Sequence, residues 1–203
     1  MSDTNPTAIE QELKRLERRL DELLRAVETS GYTEPTAIQA AAIPSVLMMR
    51  DLIGIAQTGT GKTAAFALPI LHRLAANPKH RLKYATRTLV LAPTRELAIQ
   101  VAEAFQKYAS HIKDFHVLPI YGGQSYGPQL SALRRGVHVV VGTPGRMADV
   151  LENSYLVLNQ CTYIVLDEAD RLLDMGFEQT VLQIMTIIRG EKIAGLKEKM
   201  VIL

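Results

Sequence analysis

Two glycines, a lysine and a threonine stand close together in Ala56-Gln57-Thr58-Gly59-Thr60-Gly61-Lys62-Thr63. Gly59 and Gly61 permit backbone turns that aim successive N–H groups into one concavity, and such a nest binds anions. The run follows an apolar segment, Asp51-Leu52-Ile53-Gly54-Ile55-Ala56, and precedes a helix-forming one, Ala64-Ala65-Phe66-Ala67-Leu68. Strand, glycine-rich loop and helix in that order form the setting of a phosphate-binding loop, where the positive end of the helix faces the anion. Gln57, Thr58, Gly59, Thr60 and Gly61 are then expected around a nucleotide's phosphates, with Lys62 on the β- and γ-phosphates and the Thr63 hydroxyl on Mg²⁺. The general pattern opens with glycine, and Ala56 holds that place. A plain glycine turn would explain the glycines but not Lys-Thr at the helix entrance.

A second chemical signal is acidic. Tyr163-Ile164-Val165-Leu166 runs into Asp167-Glu168-Ala169-Asp170. An apolar strand ending in two acids places carboxylates at the carboxyl edge of a sheet, the edge that a phosphate loop also occupies. Asp167 is expected to hold Mg²⁺ through its water shell, because Mg²⁺ keeps several waters. Glu168 is expected to orient an attacking water, in a reaction that rests on positioning and charge stabilisation. Acids at a helix entrance are also favoured by the helix dipole alone. The loop upstream is what tips the reading toward an enzyme acting on a nucleoside triphosphate.

The elements that must position these groups read as an α/β domain. Apolar strands are expected at 51–56, 88–92, 115–121, 137–141, 162–166 and 200–203. Near-continuous apolar runs of this kind are buried on both faces, as in a parallel sheet. Helices are expected at 61–75, 94–109, 129–134, 146–152 and 178–188, giving right-handed crossovers and helices on both faces. Ligands of open parallel sheets bind at the carboxyl ends of the strands. The first residues differ: Leu13, Leu16, Leu20, Leu23 and Val27 recur at heptad spacing among mixed charges, which predicts an amphipathic helical extension over 1–28 ahead of a domain at 29–203. Fewer than three heptads do not establish a coiled coil, but the pattern leaves self-association through this helix open.

Composition narrows the class. A chain of 203 residues supports one good core, and 47% hydrophobic with 22% charged residues is ordinary for a globular protein. The net charge of +2 excludes bulk basicity as a route to nucleic acid, so any such site must be local. No apolar run reaches membrane-spanning length, and Met1-Ser2-Asp3-Thr4-Asn5-Pro6 lacks a signal peptide's apolar segment. The lone Cys161 forms no internal disulfide. A cytoplasmic or nuclear, reducing compartment and no membrane partner are the expectations.

With these motifs in place, residues 31–203 resemble the DEAD-box ATP-dependent RNA helicases. Asp167-Glu168-Ala169-Asp170 matches the family's namesake motif, and Ala56–Thr63 looks like its motif I, where alanine is usual at the first place. Gly31-Tyr32-Thr33-Glu34-Pro35-Thr36-Ala37-Ile38-Gln39 is similar to the family's Q motif. The resemblance implies a three-layer RecA-like (P-loop NTPase) fold with a mostly parallel sheet, and ATP with Mg²⁺ as the bound species. It implies adenine recognition by Gln39, whose amide offers both a donor and an acceptor. Tyr32 would stack on the base, with Pro35 beside it. The family's usual aromatic residue 17 positions before the Q-motif glycine is replaced here by Lys14, so the N-terminal segment departs from the pattern.

Three further segments match in order. Pro93-Thr94-Arg95-Glu96-Leu97-Ala98 resembles motif Ia, Gly122-Gly123 the family's glycine pair, and Thr143-Pro144-Gly145-Arg146 motif Ib. Each follows a strand, so all should line the carboxyl edge. Arg95 and Arg146 can neutralise phosphates, while hydroxyls and backbone N–H groups can bond them. The implied partner is an RNA backbone, single strand or duplex, read with little sequence specificity. Lys79-His80-Arg81-Leu82-Lys83 precedes a strand and reads as a solvated loop, and Arg171 as a local ion-pair partner.

No Ser-Ala-Thr element occurs in the chain. The resemblance therefore implies a truncation before motif III, with hydrolysis and unwinding depending on a second RecA-like domain. Two other functions stay open on the sequence: a DNA-directed helicase of the same superfamily, and a non-processive ATP-dependent RNA clamp or assembly module.

Overall fold

The computed structural model describes residues 6–76, 86–191 and 199–203. Six strands form one sheet in the order β1-β6-β5-β2-β4-β3, and every adjacent pair is parallel. The strands are β1 (Leu52–Ile53), β2 (Thr88–Leu91), β3 (Val117–Ile120), β4 (Val139–Gly142), β5 (Tyr163–Leu166) and β6 (Lys199–Ile202). The helices are α1 (Pro6–Thr29), α2 (Ala37–Leu47), α3 (Lys62–Ala76), α4 (Arg95–Tyr108), α5 (Tyr126–Arg135), α6 (Pro144–Glu152), α7 (Ala169–Asp174) and α8 (Glu178–Glu191).

Strand alternation splits the core into two halves. Val90, Val141 and Val165 point to one face, where they meet Phe66, Ile70 and Phe105 of α3 and α4. Leu89, Leu91, Val140 and Ile164 point to the other, against Met147, Val150, Ile184 and Ile188 of α6 and α8. Both β2 and β4 are buried along their whole length, which explains their unbroken apolar sequences.

Several boundaries depart from the sequence pattern for local reasons. β1 covers two residues instead of six, because it lies at the sheet edge and has only β6 to pair with. α6 begins at Pro144, not Arg146, since proline suits a first helical turn. α5 begins at Tyr126, three residues before the expected start. α2 is absent from the helices that the apolar pattern predicts. Its sequence is apolar all round and contains Pro44, so it shows no amphipathic period. The usable signal was the capping box, in which the Thr36 hydroxyl accepts from the Gln39 N–H and the Gln39 side chain accepts from the Thr36 N–H.

The N-terminal helix runs to Thr29 and ends where Gly31 takes a positive φ of 78°. It approaches α3 and α4, so it lies against the domain. Leu20 and Leu24 on this helix remain about half exposed. No helix among the described residues is long and apolar enough to cross a membrane.

Candidate nucleotide site and adjoining surface

Parallel pairing delivers the end of every strand to one edge. The ladder continues past the strand ends: Ala92 N–H donates to the Gly142 carbonyl, Asp167 N–H to Leu91, and Thr143 N–H to Ile120. The phosphate loop, the acidic pair and the three post-strand motifs therefore share this edge.

Within the loop, Gly59 and Gly61 adopt positive φ values of 79° and 85°. The Thr60 hydroxyl donates to the Gln57 carbonyl at 2.7 Å and closes the turn. Lys62 is the first residue of α3, followed by Thr63, and both are partly exposed. A positive helix end, a lysine and a hydroxyl thus coincide at one point.

Asp167 lies beside them, only 3% exposed. Burial pushes its carboxyl up to about 6, and the neighbouring Glu168 charge adds to the rise, while Lys62 opposes it. A buried carboxylate held against its own desolvation is one that a cation stabilises. Among the described residues no cluster of three or more His, Cys, Asp or Glu side chains could hold a metal. Asp167 and Thr63 offer two hard oxygen donors, which fits Mg²⁺ completing its shell with phosphate oxygens and water.

Glu168 sits in the left-handed region, at φ 50° and ψ 54°. For a residue with a β-carbon this conformation costs on the order of 1–2 kcal/mol. Strain of this sort concentrates at functional sites. The Glu168 carboxylate accepts from the Arg171 guanidinium at 3.2 Å, so Arg171 is a local ion-pair partner as expected from the sequence. Ala169 N–H donates to the Leu203 carbonyl, which ties the acidic turn to the end of β6.

The structure sets the Q-motif residues against the phosphate loop and α4. Gln39 is 4% exposed. Its Nε2 donates to the Gly61 carbonyl at 3.3 Å, and its Oε1 accepts from the Thr36 N–H at 3.0 Å. The Thr36 hydroxyl donates to the Thr60 carbonyl at 2.8 Å. The segment is strapped onto the phosphate loop, and the Gln39 amide is bonded to protein. Tyr32 shares a hydrogen bond with Tyr108, hydroxyl to hydroxyl, at 2.8 Å, and the rings tilt against each other. Burial and that bond push the Tyr108 phenol up. Pro35 is exposed.

Along the rest of the edge, Gly122, Gly123, Gly145 and Arg95 are exposed and Arg146 is half-buried. Thr143 precedes α6 without spending its hydroxyl on the helix, whereas the Thr94 hydroxyl caps α4 by accepting from the Leu97 N–H. Three of the residues expected to meet RNA also have a part in the fold. Pro93 and Pro144 are buried and shape the strand-to-helix turns. Glu96 bears the wrong charge for phosphate and stands in the first turn of α4, where the helix dipole favours an acid. Sequence reading also missed two aromatic supports. The Arg95 guanidinium lies 4.8 Å from the centre of the Tyr121 ring, and that of Arg146 lies 4.0 Å from the centre of Tyr126. Tyr121 and Tyr126 flank the glycine pair in the sequence, but nothing local pairs either with an arginine. The basic stretch Lys79–Lys83 lies outside the described residues.

Comparison with known proteins agrees with this geometry. A family model described as DEAD/DEAH box helicase matches residues 36–203. The chain is 54% identical over 164 residues to the ATP-dependent RNA helicase DeaD of Mycobacterium tuberculosis, covering 81% of this chain and 28% of that protein. It is 50% identical over 166 residues to the protein of the same name from Escherichia coli K12, covering 82% and 26%. The crystal structure of the yeast DEAD-box splicing factor Prp28 superposes with a TM-score of 0.82 at 36% identity, over 89% of this chain and 43% of that one. The chain thus spans little more than a quarter of the length of these two curated relatives. Taken with the phosphate loop and the acidic turn on one edge of a parallel sheet, these matches show that the chain belongs to the DEAD/DEAH box helicase family.

Proposed function

We propose that this chain is the nucleotide-binding domain of an ATP-dependent RNA helicase. It binds ATP with Mg²⁺ between the phosphate loop and Asp167, and it holds one side of a single-stranded RNA backbone along the adjoining loops. The carrying observation is that the phosphate loop with Lys62 and the buried Asp167 stand at the carboxyl edge of one parallel sheet. Names of relatives as RNA helicases support RNA over DNA as the polymer.

Each residue has a part. The glycine-loop N–H groups and Lys62 bind and orient the phosphates. Asp167 and Thr63 hold Mg²⁺, which when bound supplies charge neutralisation at the phosphate oxygens. Glu168, fixed by its strained backbone and Arg171, orients water. Gln39 selects adenine either with its amide's second N–H and lone pair or by giving up Gly61. Arg95, Arg146, Thr143 and the glycine N–H groups meet RNA phosphates. Efficient hydrolysis and unwinding need a second RecA-like domain in the whole protein, because arginines supplied across such a site raise rates by about 10³ to 10⁵. The half-exposed Leu20 and Leu24 support self-association through α1, tested by light scattering with and without residues 1–28. The single Cys161 is buried, which suits a reducing intracellular compartment.

Calorimetry with Mg·ADP and Mg·ATP tests the site. Lys62→Ala is expected to weaken both by tenfold or more, about 1.4 kcal/mol, while the fold persists. Equal affinity in wild type and variant would remove the basis of the assignment. Rapid RNA-stimulated turnover by this chain alone would refute the need for a second domain.

A further inference from the structure

Between the glycine pair and the middle of α5 lie Gln124, Tyr126 and Gln129, which none of the family motifs above includes. Gln129, on α5, is 3% exposed, and its amide faces two ways. Its Nε2 donates to the Tyr121 carbonyl at 3.2 Å, immediately before Gly122, and to the Gln124 Oε1 at 3.5 Å. Its Oε1 accepts from Nη1 of Arg146 at 3.4 Å. Nη2 of Arg146 donates to the Gln124 carbonyl at 3.1 Å, and the guanidinium plane covers Tyr126. The Gln124 amide in turn donates to the hydroxyl of Tyr121 at 2.9 Å, the tyrosine whose ring Arg95 covers.

We propose that Gln129 is a positioning residue for RNA binding: it fixes the Arg146 guanidinium and locks it in register with the Gly122-Gly123 loop. This rests on the reading of the edge as an RNA-backbone surface. A guanidinium has five N–H donors. Two are used here, by Gln129 and Gln124, and one face is used by Tyr126, so the fork is oriented while its other donors are left for a phosphate. An arginine held this way loses less side-chain freedom when it binds. A buried amide suits the task because, unlike a carboxylate, it can accept from the arginine and donate to the Tyr121 carbonyl at once. Burial also keeps water from competing for either bond. Gln124, on the exposed side, completes the frame.

The test measures affinity for a labelled single-stranded oligouridine across a salt series, with the 203-residue chain and its variants. Arg146→Ala should weaken binding about three- to tenfold and lower the slope of log K against log salt by about 0.7, the loss of one phosphate contact. Gln129→Leu, which keeps the bulk but neither bond, should show the same two losses with unchanged Mg·ADP affinity. On the Arg146→Ala background Gln129→Leu should add nothing, because its effect passes through that arginine. Gln129→Glu keeps the acceptor but sets a carboxylate against the Tyr121 carbonyl and pairs off the Arg146 charge, so it should lower the slope as Gln129→Leu does. If Gln129→Leu does not fold, Tyr126→Leu at a partly exposed position should give the same non-additive loss. Additive losses in the double variant, or an unchanged slope in Gln129→Leu beside a lowered one in Arg146→Ala, would overturn the positioning role alone. No effect of Arg146→Ala itself would overturn the RNA surface and this proposal together.

Discussion

Gln39 and Gly61, 22 residues apart in the chain, are joined by one hydrogen bond from the Gln39 amide to the Gly61 carbonyl at 3.3 Å. The approach is so close that a β-carbon on Gly61 would collide with the Gln39 Nε2, and Gly61 also holds a φ of 85°. One glycine is therefore required twice, by its backbone conformation and by the side chain packed on it. Through this contact the Q-motif segment and the phosphate loop are mechanically connected.

Gly61→Ala should destabilise the domain by about 2 kcal/mol or more, from left-handed strain plus overpacking. Gln39→Ala removes the atom that the new methyl would strike. Urea unfolding of the two single variants and the double variant should show the double less destabilised than the sum. Simple additivity would mean that Gln39 moves aside at no cost.

Asp167 makes stability depend on pH. Its carboxyl titrates at about 6 in the fold against an ordinary 3.8, so between those values the folded state binds more protons than the unfolded one. Stability of the ligand-free chain should then fall as pH rises through about 4 to 6, by on the order of 3 kcal/mol from this group. Asp167→Asn should be the more stable protein near pH 7, and its advantage should vanish near pH 4. Parallel unfolding curves at the two pH values decide this. Mg²⁺-dependent nucleotide affinity should move the other way, weakening as pH drops below about 6 and the carboxylate is protonated.

Glu168 offers a trade between stability and chemistry. Its φ of 50° suits glycine, and its ion pair with Arg171 is largely exposed on the arginine side. Glu168→Gly should leave the chain equally stable or up to about 1 kcal/mol more stable, since little is lost with a surface pair. A clear destabilisation in thermal or urea unfolding would show that this carboxylate supports the fold.

The Tyr32–Tyr108 bond anchors the Q-motif segment to α4. Tyr32→Phe removes the hydroxyl and keeps the ring, and it leaves the buried Tyr108 hydroxyl without that partner. A loss of about 1–2 kcal/mol is expected in urea unfolding. If Mg·ADP affinity falls as well, the anchor reaches the nucleotide site; if only stability falls, Tyr32 is purely structural.

The sequence by itself determined the architecture and the chemistry at its edge. Apolar runs at β2, β4 and β5 can be satisfied only by burial on both faces, and parallel strands leave all their carboxyl ends on one side. Ala56–Thr63 and Asp167-Glu168 were legible because phosphate binding needs particular residue types at fixed local spacing. What only the tertiary structure decided are relations between distant segments. Neither the burial of Gln39 against Gly61 nor the seat of Arg146 on Tyr126 and Gln129 has a local signature, since each depends on where two elements come to rest. The rise of Asp167 belongs to the same class. Any aspartate after a strand looks alike in sequence, and only packing determines how far it is removed from water.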